Sequence, residues 1–192
     1  MSTKSIMIVG VGGQGTLLAS RIIGNALIAQ DYDVKMSEVH GMAQRGGSVV
    51  TYVKYGEKVF SPIIEKANAD VILAFEELES ARWLSFLKPD GTIILNTQKI
   101  NPMPVITGAA EYPKHLPEKI DSMVENCIGL DALRLAKIAG TVKAVNVVLI
   151  GVMAAVMKDD KNIWLDSLKK TVKPKFIDMN LKAFELGYNT VK

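Results

Sequence analysis

An α/β fold built on a Rossmann-like, open and mostly parallel sheet is what this sequence predicts, from its first forty residues above all. The run SIMIVG (5–10) is short, apolar and closed by glycine, as a strand covered on both faces has to be. A glycine-rich turn, VGGQG, follows it, and then a stretch in which Leu18, Ile22, Ala26 and Ala29 recur at helical spacing, predicting a helix from about Thr16 to Gln30. DYDVKMSEV reads as a second strand, completing a strand–helix–strand unit of about thirty residues with a right-handed crossover.

The later elements follow from similar signals. GSVVTYVKYGEKVFSPII carries two β-rich runs around YGEK, which predicts an antiparallel hairpin closed by Pro62. ADVILAF (69–75) is another buried strand, followed by a helix from about Glu77 to Leu87. KPDG reads as a turn and TIILNT as a strand; the proline-rich stretch 98–118 reads as irregular loop. SMVENCIGLD suggests a late strand, and ALRLAKIAG a helix ended by Gly140. Three more helices are expected, over 143–157, 162–171 and 174–187, the last stopped by Gly187. Neither a repeat nor a linker interrupts the chain, so residues 1–192 are expected to form one domain with a helical C-terminal portion from about 141.

Composition excludes several function classes. The net charge of +3 is spread along the chain, which argues against a nucleic-acid footprint. No run of eighteen apolar residues occurs, so no membrane span is expected, and MSTKSIMIVG leads directly into a strand without the pattern of a signal peptide. Cys127 is the only cysteine, which rules out an internal disulfide, fits a reducing cytoplasm, and cannot supply the four thiolates of an iron–sulfur cluster.

The candidate site begins at the glycine turn. Gly10, Gly12 and Gly15 satisfy G-x-G-x-x-G between a strand and a helix, with Gly13 and Gln14 in the free positions. Backbone N–H groups at such a helix start attract an anion such as a pyrophosphate; the same glycines also serve a tight turn with no ligand. A nicotinamide dinucleotide site wants an acid at the end of the second strand, and Glu38 lies near that position. SEVHGMAQRGG follows it at once, however, which is not how a ribose-binding turn continues.

Ligands of open α/β sheets lie beyond the carboxyl ends of the strands. The polar residues expected there are Ser37, Glu38, His40, Gln44 and Arg45, then Glu76 and Glu77, then Asn96, Thr97 and Gln98. Each has a plainer reading. His40 suits an ordinary loop histidine, Arg45 a partner for Glu38, Glu76 and Glu77 a helix N-terminus, and Asn146 a buried amide.

Five stretches in this order, GVGGQGTLLASRIIG, VKMSEVHGMAQRGGSVV, SPIIEKANADVILAFEELESARWL, NTQKINPMPV and AVNVVLIG, carry a resemblance across essentially the whole chain. It resembles the beta subunit of indolepyruvate:ferredoxin oxidoreductases, homologous to the gamma subunit or domain of pyruvate and other 2-oxoacid:ferredoxin oxidoreductases. The resemblance implies a small subunit of a cytoplasmic, anaerobic hetero-oligomer. Such an enzyme oxidatively decarboxylates an aryl pyruvate with coenzyme A to acyl-CoA and CO2, reducing ferredoxin. It also implies a large partner subunit holding thiamine diphosphate, Mg2+ and 4Fe–4S clusters. This chain, which lacks a G-D-G motif followed by asparagine and has no cluster cysteines, would then be inactive alone. By the same analogy Ser37, Glu38, Gln44, Gly46 and Gly47 belong to the surface meeting the partner's active site, His40 and Arg45 are candidates to meet an anionic group there, and the loop 10–15 is a candidate for the coenzyme A phosphates. A pyruvate, branched-chain or 2-oxoglutarate enzyme, and an NAD(P)-binding dehydrogenase, stay open as alternatives.

Overall fold

The structure is a computed structural model that describes residues 3–41 and 46–191. Its elements, in chain order, are β1 (Lys4–Val11), α1 (Thr16–Ile28), β2 (Asp33–His40), β3 (Ser48–Gly56), β4 (Ala69–Ala74), α2 (Glu77–Trp83) and β5 (Leu87–Asn96). There follow α3 (Met103–Ile106), α4 (Leu116–Met123), β6 (Asn126–Leu130), α5 (Ala132–Ala139), α6 (Val145–Met157), α7 (Lys161–Thr171) and α8 (Ile177–Tyr188). The six strands form one sheet in the order β2-β3-β1-β4-β5-β6. Neighbours from β1 to β6 through β4 and β5 run parallel, and β3 alone is reversed, antiparallel to both β1 and β2.

The α/β class, the mostly parallel sheet, the antiparallel hairpin and the helical C-terminal portion are as expected. Several details are not. The hairpin pairs β2 with β3 through residues 41–47, so YGEK is not its turn; β3 ends at Gly56 and no strand follows until Ala69. The post-hairpin loop is instead pinned by the Asp33 carboxylate, which accepts from the Val59 N–H at 2.8 Å, and by Lys54, which donates to the Ile63 carbonyl at 2.9 Å. Consequently β2 is not beside β1. KPDG lies inside β5, where the pairing with β4 shifts register between Ala69 and Val71. Stretch 98–118 is not all loop: α3 starts after Pro102, and α4 carries Pro117 in its first turn, where a missing N–H is harmless.

Burial explains the apolar runs. Along β1, Ile6 and Ile8 face a core formed with α1 and α5 to α8, while Met7 and Val9 face a second core on the other side of the sheet. A strand covered on both faces has no polar positions to alternate with. The edge strand β2 is only partly covered: none of its residues is fully buried, and Met36 and Val39 are exposed. Helix α6 is buried from Val145 to Ala154 and, Asn146 apart, is accordingly apolar all round.

Helices α6 and α8 touch backbone to backbone. A Cβ on Gly151 would lie 2.2 Å from the Phe184 carbonyl oxygen, and one on Gly187 would lie 2.0 Å from that of Val148. Gly187 therefore sits inside α8 as a contact point and does not stop it, contrary to the reading from sequence.

Candidate functional site

Five of the strands end at one edge of the sheet, and β3 begins there. The glycine turn occupies its centre. Gly13 (φ 103°) and Gly15 (φ 83°) take left-handed backbone that a side chain would strain. The Gln14 side chain turns inward and ties the turn together. Its Oε1 accepts from the Val11 N–H at 2.8 Å, and its Nε2 donates to the Phe75 carbonyl at 2.9 Å. Gly10 leaves the room for it, since a Cβ there would lie 2.9 Å from Gln14 Oε1. Gln14 is thus an internal clamp.

The second motif is joined directly to the first. Gly12 N–H donates to the Gly47 carbonyl at 2.8 Å, and Gly46 N–H donates to the Gly12 carbonyl at 3.3 Å. The two glycine-rich segments read separately from the sequence are therefore one structure, with Gly46 and Gly47 hydrogen-bonded to the glycine turn at Gly12.

Helix α1 starts at Gly15 without a side-chain cap and with no acidic residue in its first turn. The N–H groups of Gly13, Gly15 and Thr16 are not donated to any described residue. Free donors and the positive end of the helix dipole together attract an anion. They open into a cavity of about 500 Å3 lined by Gly13, Gly15, Gln98, Lys143 and Asn146 among others. Asn146, only 2% exposed, donates to the Gly15 carbonyl at 3.2 Å and accepts from the Val147 N–H. A further depression of about 370 Å3, beside Leu84 and Met123, lies at the opposite edge of the sheet, away from these groups.

The other candidates divide. Glu38 accepts from the Thr51 hydroxyl across the β2–β3 ladder at 2.9 Å and pairs with His40 Nε2 at 3.1 Å. Ser37 stands opposite Tyr52 in the same ladder. Gln44 and Arg45 lie outside the described residues. Asn96 is fully buried: it donates to the Phe75 carbonyl and accepts from the Ala132 N–H, so it joins β4, β5 and α5 inside the fold. Thr97 bonds the Leu130 carbonyl through its N–H and hydroxyl. Asn146 is the buried amide expected from the sequence, here bordering the cavity, whereas Lys143 is a site residue that sequence reasoning did not place.

Glu76 is a buried organiser. It caps α2 by accepting from the Glu79 N–H and holds the following loop through the Ile100 N–H and the Tyr112 hydroxyl. Glu77 is buried beside Lys99, whose Nζ is 3.5 Å from its Oε1. Burial raises the Glu77 carboxyl above the ordinary glutamate range, against the pull of Lys99. The folded state then holds this proton more tightly than the unfolded chain, so ionisation of Glu77 opposes folding as pH rises above that range. Glu77→Gln is expected to melt with the parent protein near about pH 4 and above it near about pH 8. Melts that differ equally at both pH values would remove this role from Glu77.

Cys127 is half-buried, and burial with the nearby Asp121 pushes its thiol up to about 11, the reverse of a ready metal ligand or nucleophile. Among the described residues no group of three His, Cys, Asp or Glu side chains is placed to hold a metal ion. No helix among them is long and apolar enough to cross a membrane.

An α/β sheet with an anion-ready glycine turn and an interposed antiparallel strand now has its family. The chain belongs to the pyruvate ferredoxin/flavodoxin oxidoreductase family, whose model matches residues 5–190. It is 39% identical over 200 residues to the indolepyruvate oxidoreductase subunit IorB of Thermococcus kodakarensis, covering 100% of this chain and 98% of that one. Among solved structures, the pyruvate oxidoreductase subunit PORC of Thermotoga maritima shares the fold with a TM-score of 0.75 at 20% identity, over 98% of this chain and 97% of that one. The 2-oxoglutarate:ferredoxin oxidoreductase of Magnetococcus marinus, with 2-oxoglutarate, coenzyme A and succinyl-CoA bound, also gives 0.75 at 15% identity, over 100% of this chain and 31% of that one. The family expected from the sequence motifs is borne out.

Proposed function

We propose that this chain is the small subunit of an aryl-pyruvate, and specifically indolepyruvate, oxidoreductase, and that its part is to hold coenzyme A while a larger partner carries out the redox chemistry. Family membership and the end-to-end match to IorB give it the role of a subunit in a 2-oxoacid oxidoreductase complex. The complex converts a 2-oxoacid, coenzyme A and oxidised ferredoxin to acyl-CoA, CO2 and reduced ferredoxin in the cytoplasm. The observation that carries the reading is the uncapped start of α1, whose free N–H groups open with Lys143 into the 500 Å3 cavity. That chemistry suits a diphosphate.

Mg2+ and iron–sulfur clusters do not fit the donors of this chain's described residues and are assigned to the partner, together with thiamine diphosphate, for which the chain has no G-D-G motif followed by asparagine. Glu38, His40, Gly46 and Gly47 lie at or next to the carboxyl edge, beside the glycine turn, and are assigned with Ser37, Gln44 and Arg45 to the surface that meets the partner. The isolated chain is expected to be inactive.

The nicotinamide alternative is disfavoured by topology. In a dinucleotide site the ribose-binding acid ends the strand adjacent to β1. Here β3 lies between β1 and β2, and Glu38 is engaged by Thr51 and His40. In the assembled complex, coenzyme A is expected to bind and NADH not to; NADH binding displaced by Gly12→Val would reverse the assignment. Arg45→Ala is expected to raise KM for coenzyme A or the 2-oxoacid about tenfold, since a charge-assisted hydrogen bond contributes roughly 1.5–3 kcal/mol, with assembly intact. Unchanged kinetics would take Arg45 out of the site.

A further inference from the structure

Just past the carboxyl end of β4, three carboxylates are taken out of water: Glu76, Glu77 and Glu79 are 1%, 1% and 4% exposed. The helix dipole of α2 favours acids at its start, but it does not require their burial, which costs free energy unless each carboxylate is held. Glu76 caps the helix and Glu77 faces Lys99. Glu79 reaches out of its own element. Its Oε2 accepts from the Ser48 hydroxyl at 2.5 Å and from the Trp83 indole N–H at 3.3 Å, and its Oε1 lies 3.6 Å from Arg82 Nε. Trp83 and Arg82 belong to α2 or its last turn, whereas Ser48 opens β3. Several bonds meet at Ser48. Its carbonyl accepts from the Gly41 N–H at 3.2 Å, closing the β2–β3 hairpin, and it stands opposite Val11 at the end of β1. The preceding carbonyl, of Gly47, holds the Gly12 N–H. Among the described residues, Glu79 to Ser48 is the one side-chain hydrogen bond between α2 and this corner.

We propose that Glu79 is a positioning residue for the oxidoreductase reaction: by latching Ser48 it fixes the corner formed by Gly46, Gly47 and Ser48, and so sets how that corner meets the partner's reacting centre. This rests on the assignment of the corner to the partner-facing surface. Packing does not hold the corner, since a Cβ placed on Gly46 would have nothing within 4 Å. Hydrogen bonds must do so, and one to an ionised acceptor is about twice as strong as one between neutral groups. The latch is itself anchored. The Glu79 N–H donates to the Glu76 carboxylate at 2.9 Å, and the same carboxylate holds the Ile100 N–H and the Tyr112 hydroxyl. One run of bonds therefore joins the loop after β5, the start of α2, the hairpin corner and the glycine turn. A displacement of about 1 Å at such a corner can slow a reaction by roughly a hundredfold. Because Ser48 and Trp83 share Oε2, a glutamine at this position keeps both bonds through its carbonyl oxygen and loses only the attraction to Arg82.

The test is steady-state ferredoxin reduction by the assembled complex, beside amide hydrogen exchange of the corner in the free full chain and in the complex. In the parent protein, exchange at the corner is expected to slow on assembly by about tenfold or more. Ser48→Ala removes the donor and leaves the backbone pairing of β3 in place. It is expected to lower kcat by about tenfold or more, with KM for coenzyme A and the melting temperature close to the parent's. Ser48→Thr and Glu79→Gln, which keep the bond, are expected to retain kcat within about threefold. A parental kcat in Ser48→Ala, with the corner still protected on assembly, would overturn the positioning role and leave the partner-facing assignment standing. A lowered melting temperature with kcat unchanged would reduce the bond to a structural one and overturn the proposal equally. Exchange that is the same in free and assembled chains would overturn the partner-facing assignment, and the latch with it.

Discussion

Gly187→Ala is expected to destabilise the fold by about 3 kcal/mol or more, a loss of roughly 6–12 °C in melting temperature for a chain of this size. Helix propensity alone predicts the opposite sign, because alanine is favoured over glycine inside a helix by about 1 kcal/mol. Packing decides the outcome. The new Cβ would lie 2.0 Å from the Val148 carbonyl oxygen, a backbone atom with no rotamer to escape into. Relief requires α8 to withdraw from α6, and that opens the contacts of Ala183 and Phe184, both fully buried. Gly151→Ala meets the reciprocal obstacle at the Phe184 carbonyl and is expected to behave alike. Denaturant midpoints measure the effect. An unchanged or raised midpoint in both variants would mean that the two helices are not in backbone contact.

Gly15→Ala is the second large effect, and it falls on function as well as stability. Its φ of 83° places an alanine in the left-handed region, at a cost of about 1–2 kcal/mol. The added Cβ would also lie 2.8 Å from Nδ2 of Asn146, the buried amide that donates to the Gly15 carbonyl. Either the turn or the amide has to move, and both border the cavity where the helix start presents its free N–H groups. Steady-state kinetics of the assembled enzyme are expected to show KM for coenzyme A raised at least about tenfold, an effect of about 1.4 kcal/mol, with KM for the 2-oxoacid little changed. Equal losses for both substrates would point to general damage to assembly, and unchanged kinetics would favour a ligand-free structural turn.

The central strands were legible because burial on both faces leaves an unbroken apolar signature, as in SIMIVG and ADVILAF. The hairpin was legible as a hairpin but not in its register. GEKVFSP has the composition of a turn followed by a strand, yet the real connection is the polar, glycine-containing segment between His40 and Ser48. What decides between them is the pairing of β2 with β3, a tertiary contact that no local pattern encodes. In sequence Pro102 and Pro117 suggest loop, whereas each stands at a helix start. Gly187 misled in a similar way, since a glycine ends helices more often than it lets two backbones touch.

The site shows the same division. Gly13 and Gly15 were legible because only glycine enters their backbone region without strain. The inward turn of Gln14 was not, because its partners, Val11 and Phe75, come together only when β1 and β4 pair. Asn96 looked like a rim residue because it ends a strand, but its amide closes the buried junction with α5. Lys143 is an ordinary lysine position in the sequence and joins the site only where the turn before α6 borders the glycine-turn cavity.

The most direct measurement is anaerobic affinity purification of the full chain from its native cells, followed by assay of coenzyme A-dependent ferredoxin reduction with indolepyruvate. The account predicts a brown assembly with a larger subunit containing thiamine diphosphate and iron–sulfur clusters, active with aryl pyruvates and silent when the small chain is tested alone. A colourless, solitary chain, or one that oxidises a substrate by itself with NAD, would contradict it.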